Sequence, residues 1–309
     1  MSFSGEVKNA LAKQISDNPC CQQAELLALF RSDGVIHRNP GDGEVLLHFE
    51  TENAAVAAKI FKLLKSLYGL RVGVSVRRKK KLKKNNVFTL SLENKAAADT
   101  LLTALEMEYS DRLEDQYLED LFQDTGCYRA YLRGSFLGGG SVNNPEGDYH
   151  LEMTSRNASN TYFLYTAMEG FDLHPRISKR KSKYLVYLKD SEEIVTFLNV
   201  IGAHKALLDF ENVRILKDFR NQVNRAVNCE TANLNKMVDT GVRQLEAIRR
   251  IDRARGLETL PVSLRETARL RLEYPSVSLK ELGALADPPL SKSAVNHRLR
   301  KLERMADEL

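Results

Sequence analysis

The chain of 309 residues is longer than one compact domain usually is, so we expect two or three structural units. Its 43% hydrophobic and 28% charged residues are typical of an ordinary soluble globular protein. No stretch approaches the roughly 18 apolar residues of a membrane span, and no apolar segment follows a basic one near the N-terminus as in a signal peptide. We therefore expect a cytoplasmic protein without a membrane partner.

The cysteine pattern gives no sign of a metal or cofactor. Cys20, Cys21, Cys127 and Cys229 form no Cys-x-x-Cys pair and no Cys/His ligand spacing. This predicts incidental thiols in a reduced cytosolic setting, no structural zinc and no cofactor.

Two basic stretches stand out in a chain whose net charge is only +5. Residues 71–84 carry eight basic residues and residues 176–183 carry five, and neither stretch contains an acid. Concentrated cations in a nearly balanced chain indicate a polyanion partner. Solvated lysines on surface loops are the alternative interpretation.

The sequence also contains an internal repeat at an offset of 106 residues, which aligns residues 24–36 with residues 130–142. A turn follows in both copies, at residues 39–43 and 144–148, and the basic stretches fall at corresponding places. Many agreements in the same order predict a duplicated unit. The identical pairs are Ala24/Ala130, Leu26/Leu132, Phe30/Phe136, Gly34/Gly140 and, after a two-residue gap, Asn53/Asn157 and Ala54/Ala158.

Each copy predicts the order helix, hairpin, helix, hairpin, helix. The first copy is predicted to contain helices at 22–32, 53–68 and 95–106, a hairpin that turns at 39–43, and a hairpin that joins 71–77 to 87–92. The second copy repeats this order with helices at 128–137, 158–170 and 192–201 and strands at 141–144, 149–154, 176–179 and 183–188.

The strand at 71–77 alternates between valines and polar residues. Val72, Val74 and Val76 are predicted to face the helices, and Arg71, Ser75 and Arg77 the opposite side. A sheet with one apolar and one basic face would fit a phosphate backbone, although His48, Glu50, His150 and Glu152 could share the polar face. The predicted phosphate contacts are Arg71, Arg77, Lys79, Arg176, Lys179 and Arg180.

The last third has no strand signal. Residues 206–256 predict a helical connector, and a three-helix pattern follows, with capping boxes predicted at Ser263/Glu266 and Ser278/Glu281. A third helix starts at Ser291 and is predicted to bury Val295, Leu299 and Leu302. Its opposite face carries Lys292, Ser293, Asn296, His297, Arg300 and Lys301. The pattern resembles a helix-turn-helix, similar to a promoter-reading region of sigma factors, and Asn and Arg suit adenine and guanine edges.

Residues 26–34 and 132–140 resemble two copies of the LAGLIDADG motif of homing endonucleases. This resemblance implies an α+β fold, a duplicated αββαββα saddle whose two motif helices pack side by side at the centre. Small residues would form that contact: Gly134, Gly138 and Gly140 with Ala28, Ser32 and Gly34. A simple glycine C-cap is the alternative for each helix end.

In that family, the acid before the last glycine of each motif helps to hold the catalytic divalent metals. The position is Asp33, before Gly34, in the first copy and Gly139, before Gly140, in the second. Since one carboxylate is missing, we expect no bound metal, no DNA cleavage, and a helix-end role for Asp33. The alternative is an endonuclease in which Glu152 or Asp148 replaces the missing acid.

A degenerate LAGLIDADG half joined to a helix-turn-helix resembles the WhiA family of Gram-positive bacteria. The most specific passages are "YLRGSFLGGGSVN" and "DPPLSKSAVNHRLRKLERMA". The resemblance implies a DNA-binding transcriptional regulator, associated with the nucleoid and linked to sporulation or to cell division and chromosome segregation. Double-stranded DNA is the expected partner, together with a sigma factor of RNA polymerase or another regulator.

This resemblance implies three regions. They are a LAGLIDADG-like domain at 1–205 (repeats at about 20–110 and 126–205), a helical linker at 206–256 and a helix-turn-helix domain at 257–309. One alternative stays open: the saddle could be a protein-interaction platform, with DNA binding confined to the C-terminal domain.

Overall fold

The computed structural model describes residues 2–38, 45–78, 86–92, 94–105, 122 and 124–309. The predicted turn at 39–43, Lys79 and most of the lysine-rich turn lie outside the described residues. Contacts divide the chain into two compact units, Met1–Lys217 and Asp218–Leu309. Within the described ranges, no helix is both long enough and apolar enough to cross a membrane.

The first unit has the predicted α+β class and the predicted repeat order. It starts with helix α1 (Phe3–Leu11), and the first repeat then comprises α2 (Pro19–Asp33), β1 (Gly34–Arg38), β2 (Val45–Thr51), α3 (Ala54–Tyr68), β3 (Val72–Arg78), β4 (Asn86–Leu92) and α4 (Lys95–Ala104). The second repeat comprises α5 (Thr125–Gly139), β5 (Gly140–Val142), β6 (Leu151–Ser155), α6 (Ala158–Glu169), β7 (Arg176–Arg180), β8 (Lys183–Leu188) and α7 (Ser191–Val200). Helix α8 (His204–Arg255) begins in this unit, and the division between the units falls within it.

The two antiparallel sheets have equivalent strand orders, β1-β2-β4-β3 and β5-β6-β8-β7. The second helix of each repeat begins with the same capping residue. Asn53 and Asn157, which are identical in the repeat, each cap the following helix, with the side-chain oxygen accepting from the N–H of Ala55 and of Asn160 at 2.8 Å. The duplication is therefore visible in cap chemistry as well as in topology.

Helix α1 was not predicted from the sequence, yet it belongs to the core of the first unit. Its Val7 and Leu11 are buried among the side chains of the two repeats. The motif helices α2 and α5 make the most extensive contact between helices in the described chain. Leu26, Leu29, Leu132 and Phe136 are fully buried there, so the core is centred on the predicted contact.

Val74 and Val76 lie on the helix-facing side of the sheet, as predicted, but they are not buried there. The register pairs Val74 with Leu90 and Val76 with Phe88, so the valines do lie on the same face as these apolar side chains. However, β3 is the edge strand of its sheet, and both valines remain 55% exposed. Only Val72 is half-buried.

The second unit contains the end of α8, a short 3₁₀ turn (Leu257–Thr259), α9 (Val262–Glu273), α10 (Leu279–Ala284) and α11 (Lys292–Asp307). Val295, Leu299 and Leu302 are buried as predicted, against Ile248 and Ile251 of α8. The end of α8 lies in the region 206–256, for which the sequence predicts a helical connector. Its residues Ile248 and Ile251 belong to the core that supports the three shorter helices.

One of the two predicted capping boxes is present. Ser278 Oγ accepts from the N–H of Glu281 at 3.3 Å, and the Glu281 carboxylate accepts from the N–H of Ser278 at 2.9 Å. The box at Ser263 and Glu266 is wrong, because α9 already begins at Val262 after Pro261 and has no side-chain cap. Pro261 takes the cap position because its ring fixes an extended entry into the helix.

Candidate nucleic-acid interface

The motif helices approach so closely that two positions of α5 have no room for a side chain. A Cβ atom at Gly134 would lie 2.5 Å from the Glu25 carbonyl oxygen and 2.8 Å from the Ala28 Cβ. A Cβ atom at Gly138 would lie 2.5 Å from the Ser32 Cβ. The predicted contact of small residues is therefore confirmed at these pairs.

Gly34 and Gly140, which follow the two motif helices, lie closest to their own helices. A Cβ atom on either would clash with the phenylalanine of its own helix, Phe30 or Phe136, at 2.4–2.7 Å. Their assignment to the interhelical contact stays a prediction. These glycines let each chain turn from helix into strand beside an aromatic ring.

Asp33, the remaining motif acid, lies at the end of α2 in a cationic environment. Its Oδ2 atom is buried, and the described residues offer this atom no hydrogen-bond partner. Burial raises the pKa of Asp33 to about 7, although the positive charges of Lys8, Arg156 and Lys183 lower it. A carboxyl group among three cations is poorly placed to attract a divalent cation.

At Gly139, strand β6 occupies the space that a second acid would need. A Cβ atom there would lie 2.7 Å from the Thr154 carbonyl oxygen and 2.9 Å from its Oγ1. Thr154 also donates its hydroxyl to the Gly139 carbonyl oxygen at 3.1 Å. The backbone of this repeat has therefore closed over the position.

We call the side of each sheet that lies opposite its buried side chains the outer face. Glu50 lies on the outer face of the first sheet, and Glu152 lies on that of the second. Arg77 lies on the outer face of the first sheet and donates to Glu50 at 2.9 Å. His37 stacks on His48 of the same sheet, with ring centroids 5.0 Å apart. The predicted mixture of acids, histidines and cations on this face is confirmed.

On the second sheet, strand β7 carries cations on both faces. Its register pairs Arg176 with Tyr187 and Arg180 with Lys183, which lie on the outer face. Lys179 pairs with Tyr184 and points to the opposite side, with its Nζ 5.1 Å from the centroid of that ring. The three β7 cations predicted as phosphate contacts are therefore not on one surface.

The remaining predicted cation of the saddle is Arg71, which is exposed immediately before β3. The outer face of the second sheet also carries His150 and Glu152, whose Nε2 and Oε2 atoms lie 3.0 Å apart. Both outer faces thus combine exposed arginines with histidine–glutamate pairs, and neither is uniformly basic.

Helix α11 presents the six polar residues predicted for its outward face. Ser291 caps the helix by accepting from the N–H of Ala294 at 3.2 Å. The outward residues are exposed, with Asn296 half-buried: Lys292, Ser293, Asn296, His297, Arg300 and Lys301.

Two arginines fix the framework around α11. The Arg298 guanidinium donates to the Ser263 carbonyl oxygen at 3.2 Å, which joins α11 to α9. Arg271 is buried and donates to the Val277 carbonyl oxygen at 2.7 Å, in the segment before α10. The outward residues of α11 therefore project from a tightly connected support.

Sequence reasoning missed a buried charge cluster between the repeats. Glu25 of α2 is fully buried and contacts Lys59 at 2.5 Å and Arg133 at 2.8 Å. The position of Glu25 among the apolar residues of its motif helix was a signal in the sequence that could have indicated this cluster. Lys8 was also missed, because it lies on the unpredicted helix α1.

Comparison with known families gives three matches along the chain. The WhiA N-terminal LAGLIDADG-like domain matches residues 19–107, the WhiA LAGLIDADG-like domain matches residues 128–220, and the WhiA C-terminal HTH domain matches residues 223–306. The three matches follow one another in the order of the two repeats and the second unit.

Whole-chain similarities agree with these matches. The "Probable cell division protein WhiA" of Desulforamulus reducens is 51% identical, over 100% of this chain and 96% of that protein. The protein of the same name in Clostridium botulinum is 42% identical, over 100% of this chain and 99% of that protein. The crystal structure of full-length DUF199/WhiA from Thermatoga maritima is 25% identical, with a TM-score of 0.60 and coverage of 100% and 99%.

Proposed function

The chain belongs to the WhiA family, and from that premise we propose that it is a non-catalytic, DNA-binding transcriptional regulator. Helix α11 reads base edges of double-stranded DNA, and the LAGLIDADG-like saddle adds contacts outside the base-reading site. The regulated process is cell division, the process in the name of its relatives. The family resemblance implies two further processes, chromosome segregation and sporulation. The protein then acts in the cytoplasm, on the nucleoid.

The observation that carries this proposal is the outward face of α11. Its Asn296 and Arg300 are one helical turn apart, and they are of the types that bind adenine and guanine edges in the major groove. Lys292 and Lys301 flank them as exposed cations that suit phosphate contacts. The buried contacts of Val295 and Leu299 hold this face outward.

The geometry at the ends of the motif helices supports a saddle without nuclease activity. Two-metal or shared-metal hydrolysis of DNA requires several oxygen ligands around divalent cations. Here the remaining motif acid, Asp33, feels the positive charges of Lys8, Arg156 and Lys183. The second acid position, Gly139, is closed by Thr154. Binding of magnesium would have to overcome both the cations and the missing ligands.

The proposal is tested with the full-length chain. Its binding sites are first selected from a random duplex library, and the affinity for the selected site and for scrambled DNA is then measured by fluorescence anisotropy. Asn296→Ala and Arg300→Ala should each weaken binding to the selected site by about 1–3 kcal/mol and relax base preference at one position. Arg253→Ala removes an equal charge from an exposed position of α8 and serves as the control.

Either of two results would contradict base reading by α11. One is equal loss of affinity for the selected and the scrambled DNA in the two α11 variants. The other is a loss in Arg253→Ala as large as that in Arg300→Ala.

A second candidate function concerns the saddle alone. The ion pair of Arg77 with Glu50, and the pair of His150 with Glu152, reduce the positive charge of the two outer faces. Mixed-charge faces of this kind suit a protein partner, for which a sigma factor of RNA polymerase or another regulator is the candidate. In that case, substitutions of the saddle arginines would leave DNA affinity unchanged and weaken capture of that protein.

A further inference from the structure

Two cysteines, one from each repeat, meet where the two motif helices begin. The Sγ atoms of Cys21 and Cys127 are 4.0 Å apart, and both residues are buried. Cys21 and Cys127 are separated by 106 residues, which is the repeat offset, so they occupy equivalent positions of the two copies. Local spacing could not reveal this group, because its members come from different repeats.

A carboxylate completes the group. Asp124 is exposed and caps α5 by accepting from the N–H of Cys127 at 3.0 Å. One ligand atom each from Cys21, Asp124 and Cys127 can be chosen so that all three lie within 4.8 Å of one another. Since a carboxylate has two oxygens, Asp124 can cap the helix with one and bind a cation with the other.

Gly126 keeps the space between these groups open. A Cβ atom at this position would lie 2.9 Å from Asp124 Oδ1 and 3.3 Å from Cys21 Sγ. Any larger residue would intrude between the carboxylate and the thiol. Asp124 is the exposed member of the group, so a cation would reach the site from its side.

We propose that Cys21, Cys127 and Asp124 form a zinc site that clamps the N-terminal ends of the two motif helices together. Two thiolates and a carboxylate are donors that zinc binds, and solvent would supply the fourth ligand of a tetrahedral ion. With Zn–S bonds of about 2.3 Å, two thiolates of a tetrahedral site lie roughly 3.8 Å apart. The observed separation of 4.0 Å between Cys21 and Cys127 is close to this value.

Binding of a metal at these thiols is coupled to the loss of their protons. Zinc replaces each thiol proton by a Zn–S bond and releases the proton to solvent. The first turns of α2 and α5 then place the positive ends of two helix dipoles beside the thiolates, which favours their negative charge.

The first test uses cobalt(II) as a spectroscopic substitute for zinc. Full-length protein is reduced, stripped with a chelator and titrated with Co²⁺. We expect a thiolate-to-cobalt charge-transfer band and the visible bands of tetrahedral cobalt, both saturating at one ion per chain. Added Zn²⁺ should abolish both bands, release protons on binding and raise Tm. Absence of the charge-transfer band in the reduced wild-type protein would overturn the proposal.

Variants identify the ligands. Cys21→Ser and Cys127→Ser should lose the charge-transfer band, whereas Cys229→Ser, a change at an exposed cysteine of α8, should retain it. Asp124→Asn keeps a good helix cap but removes the carboxylate, so it should weaken cobalt binding at least tenfold without loss of helix content. Gly126→Ala keeps every ligand and should weaken binding by filling the opening. Unchanged affinity in folded Cys127→Ser would refute the site.

Discussion

Glu25 and Arg133 form a bidentate ion pair across the contact of the two motif helices. Glu25 Oε1 accepts from Arg133 Nε at 2.8 Å, and Oε2 accepts from Nη2 at 3.0 Å. Lys59 also contacts Glu25 and donates to the Leu11 carbonyl oxygen at 3.2 Å. One buried carboxylate therefore connects both repeats and the helix that precedes them.

Glu25→Gln should destabilise the first unit strongly. The substitution preserves the shape of the side chain but leaves Lys59 and Arg133 without a negative partner inside the protein. Removal of one member of a buried ion pair costs about 3–5 kcal/mol of unfolding free energy. Urea unfolding followed by circular dichroism measures this loss. Glu246→Gln, at an exposed position of α8, should stay within about 0.5 kcal/mol of the wild type.

Gly134→Ala should also destabilise the contact, for a steric reason. The added methyl group would lie 2.5 Å from the Glu25 carbonyl oxygen, so the motif helices must separate. Overpacking of this kind costs about 1–3 kcal/mol. Gly170→Ala is the matched control, because its Cβ would find no atom nearer than 3.6 Å. Equal unfolding free energies for the two variants would contradict the close approach.

The pKa of Asp33 predicts a specific dependence of stability on pH. Burial raises this pKa from 3.8 in the unfolded chain to about 7 in the folded protein. Between these values only the folded state holds the proton, so the contribution of Asp33 to stability falls as the pH rises from about 4 to 7. In the wild type this contribution falls by roughly 1 kcal/mol per pH unit. Asp33→Asn should abolish the fall, because the amide does not titrate.

Unfolding free energies of wild type and Asp33→Asn at pH 5 and pH 8 test this prediction. The variant should gain stability relative to the wild type at the higher pH. Lys8→Met should extend the fall to higher pH, since the charge of Lys8 lowers the pKa of Asp33. A difference between wild type and Asp33→Asn that is the same at both pH values would show that Asp33 does not titrate in this range.

Some contacts of this fold leave a pattern in the sequence, and others do not. The repeat placed Gly134 and Gly138 at the helix contact, because helical spacing fixes which residues share a face. The exposure of Val74 could not be predicted, because it depends on which strand forms the edge of the sheet. The approach of Lys8 to Asp33 depends on a segment outside the repeat. Such contacts arise from tertiary packing, which leaves no local pattern.

The two faces of β7 provide a paired test of DNA binding by the saddle. Arg180 lies on the outer face, whereas Lys179 lies against Tyr184 on the other. Arg180→Ala should reduce the slope of log affinity against log salt by about one, and Lys179→Ala should change it less. Arg77→Ala should have an intermediate effect, because Glu50 already pairs with that cation. Equal slopes for all three variants and the wild type would favour the protein-interaction alternative.

Restoring the missing motif acid should not restore cleavage. Gly139→Asp places a side chain 2.7 Å from the Thr154 carbonyl oxygen, a backbone atom that no substitution of Thr154 removes. Asp33 would still feel the positive charges of Lys8 and Arg156, which oppose binding of a divalent cation. Neither wild type nor Gly139→Asp should nick supercoiled plasmid with magnesium or manganese. Metal-dependent nicking by wild type that disappears in Asp33→Asn would instead establish the endonuclease alternative, with Glu152 or Asp148 as the acid to substitute next.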